Sequence, residues 1–541
     1  MKNKAEKGTR HHGHFALLLH AHLPFVRHPE HPRHLEEHWL FEAVTDAYLP
    51  LLGLLRAAVA RGSGFRLTLS LSPTLLCMLV DPLLAGRYLD YLDRLARLAE
   101  RLIQAPRSAP GLRSLARFYR RRLERLRAFY LDELGGDLIA AFAALEASGL
   151  VELMTTAATH GYLPLLRSRP TAVRAQLRVA RDYFRATFGH APEGLWLPEC
   201  GYYPGLERAV AQAGYRYLVL DAHGLQQASP PPRHGVYAPL AVDTELAVFG
   251  RDPDSAQELW CPTTGYPGHP LYREYHRDLG YEGDSDLLGD FLPPGVEAAP
   301  TGLKFHRVTG RTDAKALYEP AAALAQAERD AQRFVASRRR LLESLSFTSF
   351  TSFTTRPPIM VAPYDAELFG HWWFEGPVFI DALIRCLDAA PDIQPVTLGE
   401  HLRLFGTAGE IRPATSSWGE QGYNGAWLRP DMGWVYLHLH QAAGTLADLV
   451  KEHHRLPARD RTSRLLRQAA RSLLLAQSSD WTFHMGRSAG SAYCESRLRD
   501  QLARFRFLVG TLRGGRIRDE QLAALERMDN LFPDLELRHF G

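Results

Sequence analysis

Seven short apolar runs punctuate the first two thirds of the chain: Phe15 to Leu19, Arg66 to Leu71, Val151 to Thr155, Leu195 to Leu197, Tyr217 to Leu220, Leu246 to Phe249 and Ile359 to Val361. Each is too short for a buried helix and is followed by polar or turn residues, which is the signature of strands buried on both faces. The residues just past the runs are His20 and His22, Ser72 and Pro73, His160, Glu199, Asp221 and His223, Arg251 and Asp252, and Asp365. In a parallel β/α barrel the C-terminal strand ends share one rim, where catalytic groups gather. The spacing therefore predicts an α/β fold built on an incomplete, TIM-like (β/α)7 barrel.

Between the second and third runs the pattern changes to helical spacing. Leu84, Tyr88, Tyr91, Leu95, Leu98 and Leu102 repeat at three and four residues, and Leu115, Phe118, Leu123, Leu126 and Phe129 do so after Pro110-Gly111. This predicts a helical insertion over 82–148 inside a catalytic barrel spanning 15–410. Beyond 410 the strand pattern gives way to amphipathic helices, exemplified by Leu465, Leu466, Ala469, Leu473 and Leu474, so 411–541 reads as a helical C-terminal domain contributing to the substrate groove. Residues 1–14 read as a disordered tail holding His11, His12 and His14. His223 to Leu240 reads as a long loop on the rim, and Ser346 to Pro358 as an exposed connector.

At 541 residues, a barrel and further domains fit comfortably. Sixty-four basic and 60 acidic side chains leave a net charge of +4, too small for a nucleic-acid or membrane footprint. The first apolar run is too short for a signal peptide or a span. Five cysteines without C-x-x-C spacing fit reduced thiols and a cytoplasmic setting, as a monomer or small homo-oligomer.

The chemistry concentrates in two carboxylates. Glu199 closes the run Gly-Leu-Trp-Leu-Pro-Glu, and Asp365 follows the last strand in Ala-Pro-Tyr-Asp-Ala-Glu-Leu-Phe-Gly-His-Trp-Trp-Phe. Two strand-end carboxylates among aromatic rings suit retaining glycoside cleavage, which needs a nucleophile and an acid/base about 5 to 5.5 Å apart. Trp372, Trp373, Trp418, Tyr423 and Trp427 are candidates to stack on sugar faces, Trp418 and Trp427 foremost. His20 and His22, with His160, His223 and Asp365, could instead hold a catalytic metal. Sugar hydroxyls are equally well met by neutral imidazoles, and we read them so, with neither metal nor organic cofactor required.

The motifs also resemble a known family. His20-Ala-His-Leu-Pro24, Ala158-Thr-His-Gly-Tyr-Leu-Pro164, Trp196-Leu-Pro-Glu-Cys-Gly-Tyr202, the Asp365 segment, Ser417-Trp-Gly-Glu420 and Ser478-Ser-Asp-Trp481 are similar, in order and over nearly the whole chain, to glycoside hydrolase family 57 and within it to 1,4-α-glucan branching enzymes. The resemblance implies the same barrel with a helical insertion and helical C-terminal domain, Glu199 as nucleophile and Asp365 as acid/base. It implies transfer on α-1,4-glucan (amylose, amylopectin or glycogen) with formation of α-1,6 branches. Tyr237 resembles the tyrosine at the tip of a mobile loop that favours transfer over hydrolysis, and Trp260, Trp418 and Trp427 resemble substrate-lining tryptophans. With His20, His22, His160, Arg251, Trp372 and Asp480 these complete the expected substrate-binding set. The segment Asp480-Trp-Thr-Phe-His484 departs from the family's Trp-Pro-Phe form. An α-amylase or 4-α-glucanotransferase would use the same carboxylates; a metal hydrolase and a non-catalytic glycan-binding protein are the further alternatives.

Overall fold

In the computed structural model, which describes residues 12–541 apart from 106–108, 244, 262–263, 284, 349–355, 456, 458–459 and 488–489, the apolar runs become one sheet. Its strands are β1 Gly13–Ala21, β2 Leu67–Leu71, β3 Val151–Thr155, β4 Gly194–Leu195, β5 Tyr217–Leu220, β6 Leu240–Ala241, β7 Ala247–Gly250, β8 Ile359–Asp365 and β9 Ile393–Pro395. They lie in the order β6-β7-β5-β4-β3-β2-β1-β8, with β9 on the first residues of β1. All pairings are parallel except the short β6–β7 ladder. A parallel bridge from Arg251 to Val361, with the Asp252 N–H on the Val361 carbonyl at 2.8 Å, links the β7 end to β8 and curls the sheet into the incomplete seven-stranded barrel.

Period-two alternation decides what faces the interior. Ala16 and Leu18 of β1 pack with Met154, Trp196, Val219, Ile359 and Val361, while Phe15, Leu17 and Leu19 join the outer layer under the helices. The next inward positions are His20 on β1 and Asp365 on β8; Ser70 on β2 alternates with the outward Leu69 and Leu71. The ladder pairs His20 with both Ser70 and Asp365, so three polar residues meet at one level of the rim.

Between β2 and β3 stand helices Pro82–Gln104, Pro110–Ala128 and Leu138–Ala147, the first capped by the Asp81 carboxylate. A second excursion, which periodicity did not reveal, runs from the helix Pro253–Trp260 to residue 319 and, among the described residues, carries only short helices. It lies against the insertion, where the Tyr119 hydroxyl donates to the Lys304 carbonyl (2.6 Å) and Arg273 to the Tyr119 oxygen (3.2 Å). The helix Glu37–Ala60 is long and apolar enough to cross a membrane by composition, but 61% of its apolar window is buried in this core.

Two boundaries move. The tail expected over 1–14 ends earlier: Gly13 and His14 belong to β1, His14 is buried, and the His12 N–H bonds the Asp392 carbonyl, because β9 supplies a parallel partner for the start of β1. The connector expected from Ser346 begins inside the helix Pro320–Thr348, and its centre, 349–355, lies outside the described residues. After residue 410 the chain first follows the barrel edge, pairing Ser229 with Arg412 and Tyr202 with Ser416. It then forms helices Gly433–Glu452, Arg461–Ala476, Ser479–His484, Ser491–Leu512 and Asp519–Met528. Their apolar faces share one core with the outer barrel layer.

Candidate active site

Glu199 lies in the turn Pro198–Cys200 just past β4, and its backbone is left-handed at φ 59°, as are Cys200 (φ 51°) and His160 (φ 54°). Non-glycine residues in this region carry strain and persist where surroundings over-determine them. Here the Glu199 carbonyl accepts from the Trp418 N–H (3.0 Å), and the Cys200 and Gly201 N–H groups close back on Leu197 and Pro198. Gly201 must be glycine, since a methyl there would lie 2.5 Å from the Tyr162 ring.

Each oxygen of Glu199 has its own donor. The Trp418 indole N–H gives to Oε2 at 2.8 Å and the Ser479 hydroxyl to Oε1 at 3.1 Å, with His160 Nδ1 3.8 Å from Oε1. Burial, joined by the charges of Asp480 and Asp365, pushes the Glu199 carboxyl up to about 7 against the pull of Trp418 and His22. Glu199 thus feels the charge of Asp365 across the rim. Among the described residues no donor reaches the Asp365 carboxyl, which burial and then the charge of Glu367 hold well above the usual range, opposed by Arg251. The leading neighbouring charge is Glu367, which lies two residues on, accepts from the Tyr48 hydroxyl and the His22 N–H (3.1 Å), and is itself pushed by burial to about 7.

The histidines form a stack beside these carboxylates. His22 and His160 lie 3.9 Å apart with rings 16° from parallel, and His20 stacks on Trp196 at 5.2 Å. His20 Nδ1 meets Ser70 Oγ (3.0 Å), its Nε2 meets His160 Nε2 (3.1 Å), and His160 Nδ1 meets Ser479 Oγ (2.9 Å). Burial first, then their mutual repulsion with His22, keeps His20 and His160 neutral, well below the usual imidazole value. His22 Nε2 spans both Asp480 oxygens at 3.1 and 3.2 Å. Burial alone would raise the Asp480 carboxyl, but the charge and hydrogen bond of His22, with help from His160 and Ser478, hold it far below the usual carboxylate range. Ligand atoms of His22, His160 and Asp480 lie within 4.8 Å of one another, as a metal site would require. Both ring nitrogens of His160 and the Nε2 of His22 are already engaged, which fits an organising network better than a ligand set.

The remaining expected residues divide. Arg251 belongs to the site: it donates to Asp221 (3.1 Å), lies over the Trp418 ring at 5.5 Å and bears on Asp365. Trp372, 38% exposed, meets Trp260 at 5.6 Å, giving an open aromatic face on the Asp365 segment. Trp418 is placed at the centre, yet its N–H is committed to Glu199 and its ring packs edge-on to Trp196 and under Arg251, so it holds a carboxylate more than it offers a sugar platform. Trp427 is corrected outright: it is 1% exposed, stacked on Tyr162 at 4.3 Å and capped by Gly419, and therefore cannot present a face to a sugar. Trp373 is likewise core.

Tyr237 is also corrected. Its carbonyl accepts from the N–H of Ile359, the first residue of β8, and its hydroxyl donates to Asp252 at 3.2 Å. Asp365 ends that strand six residues on, about 20 Å away at 3.3 Å per residue. A connection between parallel strands must return to the sheet's opposite end, and Tyr237 lies on that return leg.

Residue-level reading overlooked Ser70, Ser479, Glu367 and Tyr48. The first and third carried a signal, since Ser70 falls on the inward period of β2 and Glu367 sits inside the Asp365 motif. Ser479 was visible only as part of Ser-Ser-Asp-Trp; it reaches the site because the Ser479 N–H bonds the His160 carbonyl (3.1 Å) and Ser478 bridges to Gly161.

A family profile described as glycosyl hydrolase family 57 matches residues 16–261, and one described as the C-terminal part of 1,4-alpha-glucan branching enzyme matches 438–540. A probable 1,4-alpha-glucan branching enzyme of Mycobacterium tuberculosis is 32% identical over 564 residues, covering 97% of this chain and 98% of that protein. Among solved structures, the alpha-amylase AmyC of Thermotoga maritima superposes with a TM-score of 0.89 at 35% identity, covering 98% of this chain and 99% of that one. The family-57-type branching enzyme of Pyrococcus horikoshii does so at 0.86 and 30%, covering 98% and 97%.

Proposed function

Because the chain belongs to glycosyl hydrolase family 57, we propose that it is a 1,4-α-glucan branching enzyme working through a covalent Glu199 intermediate. The observation that carries the mechanism is the asymmetry of the two carboxylates. Burial pushes both carboxyls up, but Glu199 receives one donor on each oxygen, the arrangement of an anion held for attack, whereas Asp365 has no described donor to offset its burial, the arrangement of an acid.

Glu199 attacks the anomeric carbon of an α-1,4-linked residue while Asp365 protonates the departing 4-oxygen. The bond to the leaving chain breaks as the glucosyl ester forms. The 6-hydroxyl of a second glucan segment then attacks the ester, giving its proton to Asp365 and restoring Glu199. The exposed Trp372 face with Trp260 is suited to stack on glucose rings beside Asp365. Neither step requires a metal or an organic cofactor, and EDTA is expected to leave activity unchanged.

Hydrolysis is the second reading, supported by the likeness to an alpha-amylase at 35% identity; water would replace the 6-hydroxyl in the second step. Incubation with amylose, with α-1,6 linkages quantified by proton NMR against new reducing ends, separates the two. Branch signals well above reducing ends are expected; reducing ends without branches would make the protein a hydrolase.

A further inference from the structure

We propose that Ser70, His20, His160 and Ser479 form a hydrogen-bond relay running in one direction into Glu199, with Ser479 and His160 as positioning residues that set the nucleophile. The inference rests on Glu199 being that nucleophile. Four contacts, all between 2.9 and 3.1 Å, link these residues, and the protons available to them fix the direction of each.

An ionised carboxylate only accepts, so the single Ser479 proton goes to Glu199 Oε1. The Ser479 oxygen must then accept from His160, which places a proton on His160 Nδ1. His160 is neutral, so its Nε2 is a lone pair and accepts from His20. His20 therefore carries its proton on Nε2, and its Nδ1 accepts from the Ser70 hydroxyl. Every tautomer follows from the charge on Glu199 and the neutrality of the two imidazoles. The order of contacts is β2, β1, the loop after β3, the C-terminal helix Ser479–His484 and the turn after β4, so four separate parts of the barrel and one C-terminal helix are tied together.

Aligned donors polarise one another, which makes Ser479 a stronger donor than an isolated hydroxyl. Such a relay favours the ionised form of a buried carboxylate without placing a full positive charge against it. An imidazolium at His160 would pair with Glu199 and hold it back from carbon. The other titratable groups facing Glu199 are Asp480 from the C-terminal helix, His22 from the β1 end, Asp365 from β8, and Tyr162 and Cys200 beside the turn.

Neutron diffraction from deuterated crystals of the full chain held above about pH 7, where Glu199 is ionised, reads the relay directly. Deuterons are expected on His20 Nε2 and His160 Nδ1; a deuteron on His160 Nε2, or on both of its nitrogens, would overturn it. This readout is independent of product chemistry, so a protein that hydrolyses and does not branch would leave it untouched. Kinetics with amylose give the second test. Ser479→Ala is expected to lower kcat by about ten-fold or more with KM within about two-fold, and to move the acidic limb of the kcat profile up by about one pH unit. Ser479→Thr, which keeps the hydroxyl, restores both. Ser70→Ala, which touches only the far end, moves the limb in the same direction by less; an unmoved limb in a folded Ser70→Ala protein would reduce the relay to an isolated serine and sink it.

Discussion

Glu199 combines a left-handed backbone with a carboxylate that burial pushes up to about 7, so it costs the fold stability above that pH. The unfolded chain ionises near 4.5, and the penalty therefore grows as pH rises from about 4.5 and is complete above about 7. Glu199→Gln is expected to gain stability relative to the parent across that window, by on the order of 1–3 kcal/mol, with the difference vanishing below about pH 4.5. Calorimetry of both proteins from pH 4 to 8 checks this; a pH-independent difference would remove the buried-charge account. His20 and His160 act with the opposite slope: below about pH 6.5 the unfolded chain takes up protons that the folded histidines refuse. Asp365 responds to Glu367, whose negative charge favours the acid's proton. Glu367→Gln should therefore move the alkaline limb of kcat/KM to lower pH, by about one unit.

The segment 416–427 turns packing into chemistry. Trp427 wedges against Tyr162 and Gly419, and the same segment presents Trp418 to Glu199. Trp427→Ala should cost about 3–5 kcal/mol of stability and reduce activity through a loosened Trp418, measurable by urea unfolding and amylose turnover. Tyr237→Phe loses one hydrogen bond to Asp252 and leaves the Tyr237 backbone on the first residue of β8, so the ratio of branching to hydrolysis is expected to stay at the parent value. Those two elements also mark the edge of what the sequence made legible. Buried parallel strands are continuous apolar runs, and the seven were placed to within a few residues; β6 and β9 are too short to register. The histidines and carboxylates at strand exits followed from the same pattern. Side-chain direction outside regular structure has no period, so Trp427, set among glycine and asparagine, read as exposed when it is buried. The return leg carrying Tyr237 and the excursion over 261–319 were illegible for the same reason.

At the scale of the molecule, the outer barrel layer and the C-terminal helices form one apolar core from Phe15 to Phe540. A single cooperative calorimetric transition is expected, and a chain ending at residue 432 should be insoluble or inactive, since it exposes that core and lacks Ser479 and Asp480. Sequence placed helices there and carried Asp480 to the groove, but not the Ser479 hydroxyl to Glu199, because that contact spans 280 residues. That span has a meaning in time. At about 5–20 residues per second, the ribosome delivers Ser479 roughly a quarter of a minute to a minute after Glu199. For most of that interval the glutamate lacks both of its donors, because Trp418 too is made 219 residues after it, and Ser479 is the last to arrive. The last quarter of the chain acts as a delayed arming step, and an incomplete product released into a pool of glucan is unable to cut it.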